Sequence, residues 1–146
     1  MLADELKTVL GTSFAFFVKA SHFHWNVEGS DFYQLHEFFG ALYQEVYSSI
    51  DTTAEAIRQL DEYAPGSLAR FQELSEIQDQ TRIPRAALML EELLSDNEIL
   101  LEVLNRAFTA ANEENQQGIA DYIAGRIDAH AKHAWMLRSF LKNSRA

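Results

Sequence analysis

The residues of this chain that could bind a metal ion are its five histidines and 22 acidic side chains. Asp51 and Glu55 stand four positions apart, so a helix would place both carboxylates on one face, one turn apart. His36 precedes Asp51 by 15 residues, which on a continuous helix returns it to within about 60° of that face but about 22 Å away along the axis. His36 therefore cannot share a metal ion with the two carboxylates of its own chain.

Two copies of the chain could complete such a site together. An antiparallel pair about a two-fold axis is self-complementary, so it would bring His36 of one chain toward Asp51 and Glu55 of the other. His24, at the end of the predicted first helix, could approach His36 across a short turn. The sequence therefore predicts an intersubunit metal site made of His24 and His36 from one subunit and Asp51 and Glu55 from its partner. Imidazole and oxygen ligands suit Fe(II) and would also accept Zn(II) or Mn(II).

The other histidines favour structural roles. A di-iron site inside one helix bundle would need Glu-x-x-His pairs, and the sequence has none. His130 and His133 stand three positions apart with Asp128 nearby, which allows a second metal group, but histidines on a helix surface or in an interface are commoner. Trp25, beside His24, could scavenge radicals near the site, although an aromatic residue that packs a subunit interface is the commoner case.

Four long amphipathic helices must position these residues. Apolar residues recur at helical spacing along four stretches, and glycine and proline separate them. The stretches run roughly from Leu2 to Val27, from Asp31 to Tyr63, from Pro84 to Glu114 and from beyond Gln117 to Leu141. Asp31 and Gln34 could form a capping box at the start of the second helix. The pattern predicts an all-α four-helix bundle, with a short extra helix near residues 68–71 in a crossover between the second and third helices.

Composition narrows the class of protein. A chain of 146 residues, 47% hydrophobic and 23% charged, has the length and makeup of one globular domain, residues 1–146. The absence of cysteine excludes disulfides and thiolate sites, and the lack of a membrane-length apolar run or a basic leader predicts a cytoplasmic protein. The net charge of −10 disfavours nucleic acid as a partner, because its phosphate backbone would on average be repelled.

Three segments of the chain resemble a known family. They are His24-Trp25-Asn26-Val27-Glu28-Gly29, the segment 32–39 around Leu35-His36, and Asp51-Thr52-Thr53-Ala54-Glu55. Together they are similar to the ferroxidase signature of the Dps family, the mini-ferritins known as DNA-binding proteins from starved cells, and residues 126–138 resemble that family's last helix. The resemblance implies a ferritin-like bundle, a hollow dodecamer built from two-fold dimers, oxidation of Fe(II) by hydrogen peroxide or oxygen at His24, His36, Asp51 and Glu55, and storage of Fe(III) oxide inside.

One position departs from the family. Members usually have an aspartate one turn after the second histidine, and this chain has Gly40 there. The resemblance therefore implies a lost ligand, which would alter the affinity, the rate or the binding of a second iron. His22 is a possible substitute in a changed local geometry, although on a regular helix it points about 200° away from His24. Asp121 lies in a region where similar proteins line an iron-entry pore at a three-fold axis.

The sequence leaves three functions open. The first is a cage that oxidises and stores iron. The second is DNA protection, which in family members usually depends on a lysine-rich tail. The ends of this chain, Leu2-Ala3-Asp4-Glu5 and Lys142-Asn143-Ser144-Arg145-Ala146, contain a single lysine, so direct DNA binding is disfavoured. The third is a cage that binds metal passively, because the glycine at position 40 has removed the oxidation step.

Overall fold

Residues 1–142 form six α-helices joined by three short turns and two longer connections. The computed structural model describes this range, which contains no β-strand. The helices are α1 (Leu2–Asn26), α2 (Phe32–Tyr47), α3 (Ile50–Gln59), α4 (Leu68–Leu74), α5 (Ala86–Glu113) and α6 (Gln117–Leu141). Within residues 1–142, every helix is too short or too polar to span a lipid bilayer. Residues 143–146, part of the C-terminal segment considered above for DNA binding, lie outside the described residues.

Four long rods form the bundle, with α2 and α3 together making one of them. Lys19 on α1 pairs with Asp96 on α5, whereas Glu5 pairs with Arg106, so these two helices are antiparallel. The short turn between α1 and α2 makes that pair antiparallel as well, and the same holds for α5 and α6. Since α2 and α5 then run parallel, they need a long crossover, which packs α4 against α1. The predicted all-α four-helix bundle with a short helix in the crossover is confirmed.

The second rod contains a break. The predicted continuous helix from Asp31 to Tyr63 is wrong, because α2 and α3 are separated at Ser48 and Ser49. Each of these serines donates its hydroxyl to the carbonyl oxygen three residues earlier, at 2.6 Å. Hydroxyl groups that bond back to the helix in this way bend it. The rod is therefore bent between His36 on α2 and Asp51 on α3.

Tyr122 of α6 holds this break in place. Its hydroxyl lies 2.9 Å from the carbonyl oxygen of Ser49 and 2.8 Å from Oγ1 of Thr53. Thr53 also donates its hydroxyl to the Ser49 carbonyl, at 2.9 Å. Burial raises the pKa of Tyr122, so the phenol keeps its proton at neutral pH and remains a hydrogen-bond donor.

Apolar faces of the helices form the core between the rods. Fully buried side chains include Leu6, Phe16 and Phe23 of α1, Phe39 of α2, Ile57 of α3, and Leu93, Leu100 and Leu104 of α5. Burial of each such side chain contributes about 1.5–3 kcal/mol, so these faces drive the packing of the bundle. The predicted capping box is wrong, because the Asp31 side chain makes no cap hydrogen bond.

One buried ion pair crosses this core between α1 and α5. Lys19 is 3% exposed, and its ammonium contacts Asp96 at 2.6 Å and Glu92 at 2.7 Å. Burial raises the pKa of Asp96, although the ammonium opposes that shift. A buried charge that loses its partner typically costs about 3–5 kcal/mol. The pair therefore fixes how α1 aligns with α5.

The contacts of Tyr122 predict the effect of removing one oxygen atom. Tyr122→Phe should lower the free energy of unfolding by about 1 kcal/mol, because it deletes a hydrogen bond at the break and leaves the ring in place. Tyr63→Phe is the matched control, since Tyr63 is 85% exposed, and it should leave the stability unchanged. Urea denaturation of the three chains at one protein concentration measures the difference. Equal stability of the two variants would show that Tyr122 does not hold the break.

Candidate metal centre

His24 and His36 form a stacked pair where α1 ends and α2 begins. Their ring centroids lie 3.9 Å apart and their planes differ by 14°. Nδ1 of His24 is 2.6 Å from the carbonyl oxygen of His36, and Nδ1 of His36 is 2.8 Å from the carbonyl oxygen of His24. Because a carbonyl oxygen only accepts, each Nδ1 carries the hydrogen and donates it. Each neutral ring therefore keeps the lone pair on Nε2, the atom that could bind a metal ion.

Gly40 provides the space for this pair. A Cβ atom at position 40 would lie 2.9 Å from Cε1 and 3.0 Å from Nδ1 of His24, closer than van der Waals contact allows. Phe32 stacks on His36 at 5.2 Å, so three rings pack in series beside the bare glycine. Gly40, which the sequence marks as the position of a lost ligand, is thus also needed to leave room for the His24 ring. No side chain can project from position 40 unless the ring of His24 moves.

Asp51 and Glu55 lie apart from the histidine pair, on α3. They occupy its first two turns, and both side chains are exposed. Among residues 1–142, neither carboxylate has a hydrogen-bonded or ion-paired side chain as partner. That part of one chain brings no three histidine or acidic side chains together in a way that could hold a metal ion. The four predicted ligands therefore form two separate halves in one chain, two imidazoles and two carboxylates.

His22 already uses both of its ring nitrogens. Nε2 donates to the carbonyl oxygen of Arg82 at 2.8 Å, and Nδ1 lies 3.3 Å from the side-chain nitrogen of Asn26, from which it accepts. These contacts tie the connection before α5 to the end of α1. His22 is therefore not free to replace the ligand missing at position 40.

His130 and His133 belong to a hydrogen-bond network inside the bundle. His133 Nε2 contacts Glu45 at 2.7 Å, and Arg126 forms a two-pronged ion pair with the same carboxylate. His130 Nδ1 donates to the side-chain oxygen of Asn97 at 2.7 Å, while its Nε2 accepts from Arg126 at 3.1 Å. Both nitrogens of His130 are thus engaged. The geometry favours the structural role of these histidines over the second metal group, and Asp128 is exposed outside the network.

The network also sets two protonation states. Burial by itself would raise the pKa of Glu45, but hydrogen bonds from His133 and Arg126 outweigh it and hold the pKa well below its usual range. Burial lowers the pKa of His130, and the nearby Arg126 charge lowers it further, so this ring is neutral. The sequence signal for the network was the placement of Arg126, His130 and His133 in the same helical stripe as Ile123 and Leu137, which are buried.

Two further predicted residues lie at the surface. Trp25 is 69% exposed at the end of α1, where its side chain is available for packing between subunits. Asp121 is exposed in the second turn of α6. Both assignments concern contacts between chains, so the interface role of Trp25 and the pore role of Asp121 stay predictions.

Comparison with known proteins agrees with this architecture. One family model, described as Ferritin-like domain, matches residues 3–146. DNA protection during starvation protein 2 of Bacillus anthracis is 34% identical over 125 residues, which span 86% of this chain and 86% of that protein. The crystal structure of Dps from Staphylococcus aureus has a TM-score of 0.94 at 28% identity and covers 98% of this chain and 96% of its own. Dps from Vibrio cholerae O1, described as a member of a broad superfamily of ferritin-like diiron-carboxylate proteins, has a TM-score of 0.92 at 26% identity, with 96% and 88% covered.

The close approach of Gly40 to His24 predicts that Gly40→Ala lowers the stability of the protein, the opposite of the usual effect of Gly→Ala in a helix. In a helix, Gly→Ala normally stabilises by about 0.5–1 kcal/mol, and Gly125→Ala should do so because nothing lies within 4 Å of its added Cβ. Gly40→Ala should instead destabilise by about 1–3 kcal/mol, because the His24 ring must leave its stack and its hydrogen bond. Urea denaturation measures both changes. Stabilisation of both variants would contradict the packing described for His24.

The burial of His130 predicts a stability loss in mild acid. A histidine whose folded-state pKa is lowered stays neutral while the unfolded chain takes up a proton, so stability falls as the pH drops below about 6.5. This contribution has a limit of about 1.4 kcal/mol per pH unit. His130→Gln should be less stable at pH 7.5 but should lose less stability between pH 6.5 and 5. The lowered pKa of Glu45 adds its own loss only below its usual value of 4.5.

Denaturation curves at several pH values test the assignment to His130. Lys132→Gln, an exposed change on the same helix, serves as the control and should keep the native pH dependence. An unchanged slope in His130→Gln would mean that another group causes the loss.

Proposed function

Because the chain belongs to the Dps family of ferritin-like proteins, we propose that it is a mini-ferritin that oxidises Fe(II) at centres shared by two subunits. The observation that carries this proposal is the His24–His36 pair, whose reciprocal hydrogen bonds leave both Nε2 atoms free to bind. Two free imidazoles without a carboxylate beside them are half of an iron site. Asp51 and Glu55, exposed and unpaired within residues 1–142, are the matching half.

A two-fold dimer would join the two halves. His24 and His36 of one subunit would face Asp51 and Glu55 of the other, and symmetry would create the centre twice. The two carboxylates balance the charge of Fe(II) and favour the higher charge of Fe(III), which lowers the cost of giving up an electron. The two imidazoles bind as neutral ligands, so acid weakens the binding. Iron is the substrate, and the oxidant is hydrogen peroxide or oxygen.

Position 40 limits each centre to one iron. The ligand set contains two imidazoles and two carboxylates, which suits a single cation. A further carboxylate could project from position 40 only if the His24 ring moved, because a Cβ atom there would lie 2.9 Å from that ring. The diiron description that accompanies the Vibrio cholerae relative therefore does not transfer directly to this chain. We propose one Fe(II) for each subunit.

The proposed assembly is a cage of twelve subunits. We propose that residues 1–146 act as one domain, that twelve copies form a hollow cytoplasmic cage from two-fold dimers, and that Fe(III) oxide collects inside. The exposed aromatic side chains Trp25, Tyr33 and Tyr47 supply apolar surface for contacts between subunits.

DNA protection is the second candidate, and the name of the Bacillus anthracis relative favours it. The charge of −10 opposes it, because DNA affinity depends on phosphate contacts with lysine and arginine. We expect no retardation of duplex DNA in a gel at moderate salt. Tight, salt-dependent retardation would establish DNA binding and contradict this expectation.

An oxidising cage and a passive one differ in the rate at which they oxidise Fe(II). Stopped-flow absorbance should show rapid oxidation of Fe(II) by peroxide, and separately by air, in the native protein. The His36→Ala, Asp51→Ala double variant should lose this reaction, because each centre then lacks one ligand from each subunit. Equal rates in both proteins, no faster than in buffer, would leave a cage that only binds metal.

Mixed dimers of two inactive variants test whether the centre is shared between subunits. When His36→Ala and Asp51→Ala chains are refolded together, half of the dimers are mixed, and each mixed dimer has one intact centre and one doubly damaged centre. Random mixing should therefore restore about a quarter of the native rate. Mixing His36→Ala with the double variant is the matched control, since it offers no intact centre. Failure of the first mixture to recover activity would exclude the shared site.

A further inference from the structure

The end of α1 is held from two opposite sides. On one side, His24 and His36 exchange hydrogen bonds with each other's carbonyl groups. On the other side, Nε2 of His22 lies 2.8 Å from the carbonyl oxygen of Arg82, in the connection before α5. Because His22 and His24 are two residues apart, they point about 200° apart on the helix. The last turns of α1 are therefore clamped between α2 and this connection.

The contact between His22 and Arg82 has a defined direction. The carbonyl oxygen of Arg82 only accepts, so Nε2 of His22 carries the hydrogen. Nδ1 of His22 then keeps its lone pair and accepts from the side-chain nitrogen of Asn26, at 3.3 Å. The same nitrogen donates to the carbonyl oxygen of His22, at 2.9 Å. Since Asn26 is the last residue of α1, the ring of His22 joins the helix end to the connection.

The connection is itself fixed where it meets His22. The backbone N–H of Arg82 donates to the side-chain oxygen of Gln80 at 2.9 Å, and the side-chain nitrogen of Gln80 donates to Glu92 of α5 at 2.9 Å. Glu92 in turn contacts the buried ammonium of Lys19, at 2.7 Å. These contacts form a closed ring that leaves α1 at Lys19 and returns to it at His22. Each member of the ring is held by another, so the anchor of His22 is rigid.

We propose that His22 is a positioning residue for the iron centre, because it holds the end of α1 where His24 and His36 can exchange their hydrogen bonds. This inference rests on the proposed iron oxidation. Both ring nitrogens of His22 are engaged, so it does not bind the metal itself. The His24 ring has little room to shift, since a Cβ atom at Gly40 would lie 2.9 Å from it. A tilt of the helix end would break the hydrogen bond from Nδ1 of His24, and Nε2 would lose its fixed direction.

Titration of the assembled protein with Co(II) tests the proposal. Co(II) accepts imidazole and carboxylate ligands, and its visible absorption reports how they are arranged. The absorption bands that His36→Ala abolishes identify the proposed centre. His22→Ala should raise the dissociation constant measured from these bands about tenfold, as is typical when a group that orients a ligand is lost. His22→Gln should regain most of the affinity, because its amide can donate to the carbonyl oxygen of Arg82.

Arg82→Ala is the matched control. Its backbone contacts remain, and the side chain that it removes is exposed and forms no ion pair within residues 1–142, so the affinity for Co(II) should not change. Gln80→Ala loosens the connection without altering α1, and it should weaken Co(II) binding less than His22→Ala does. Urea denaturation accompanies each titration, because a purely structural role would lower the stability and leave the Co(II) affinity of the folded protein unchanged.

The same titrations distinguish two failures. Native Co(II) affinity in His22→Ala, no recovery in His22→Gln, or an equal loss in Arg82→Ala would each overturn this inference alone. If the native protein shows no Co(II) band that depends on His36, the proposed centre is wrong, and this inference with it.

Discussion

The reciprocal hydrogen bonds between His24 and His36 are the interaction on which the candidate centre depends. The carbonyl group of His24 lies in the last turn of α1, where a helix leaves its carbonyl oxygens without internal donors. The ring of His36 donates a hydrogen bond to that carbonyl oxygen, and the ring of His24 donates one to the carbonyl oxygen of His36 in α2. Capping of a helix end and orientation of two potential ligands are therefore one interaction. The turn between α1 and α2 cannot change without also changing which nitrogen atoms are free.

Where the helices pack together, basic side chains neutralise two of the carboxylates. Lys19 neutralises the buried Asp96, and Arg126 neutralises the partly exposed Glu45. Every buried polar side-chain atom among residues 1–142 has a hydrogen-bond partner. Asp51 and Glu55 are among the surface carboxylates of residues 1–142 that have no such partner. The candidate metal ligands on α3 thus lie at the surface of the subunit, where no basic side chain pairs with them.

Much of the fold could be predicted from the sequence, because apolar spacing, glycine and proline determine where helices begin and end through short-range effects. The four rods, the crossover helix and the proximity of His24 to His36 were all predicted on that basis. The break at Ser48 and Ser49 was not, because serine is found in both straight and bent helices, and the contact that holds the break comes from Tyr122, 73 residues beyond Ser49. The steric role of Gly40 was also out of reach, since it requires the position of a ring on another helix. Ligand sharing between subunits stays a prediction, because a single chain contains only its two halves.

The separation of these halves makes the proposed chemistry a property of the assembled protein. Under the proposed function, a newly made or dissociated chain would offer iron either two imidazoles or two carboxylates, each an incomplete set of ligands. Oxidation would begin only where a second chain supplies the missing half, so its onset in dilute solution would follow the square of the chain concentration. Reactive iron and peroxide would then meet only after the surrounding shell has begun to form. In the proposed cage, incomplete sites in the single chain would keep iron oxidation from beginning before the subunits assemble.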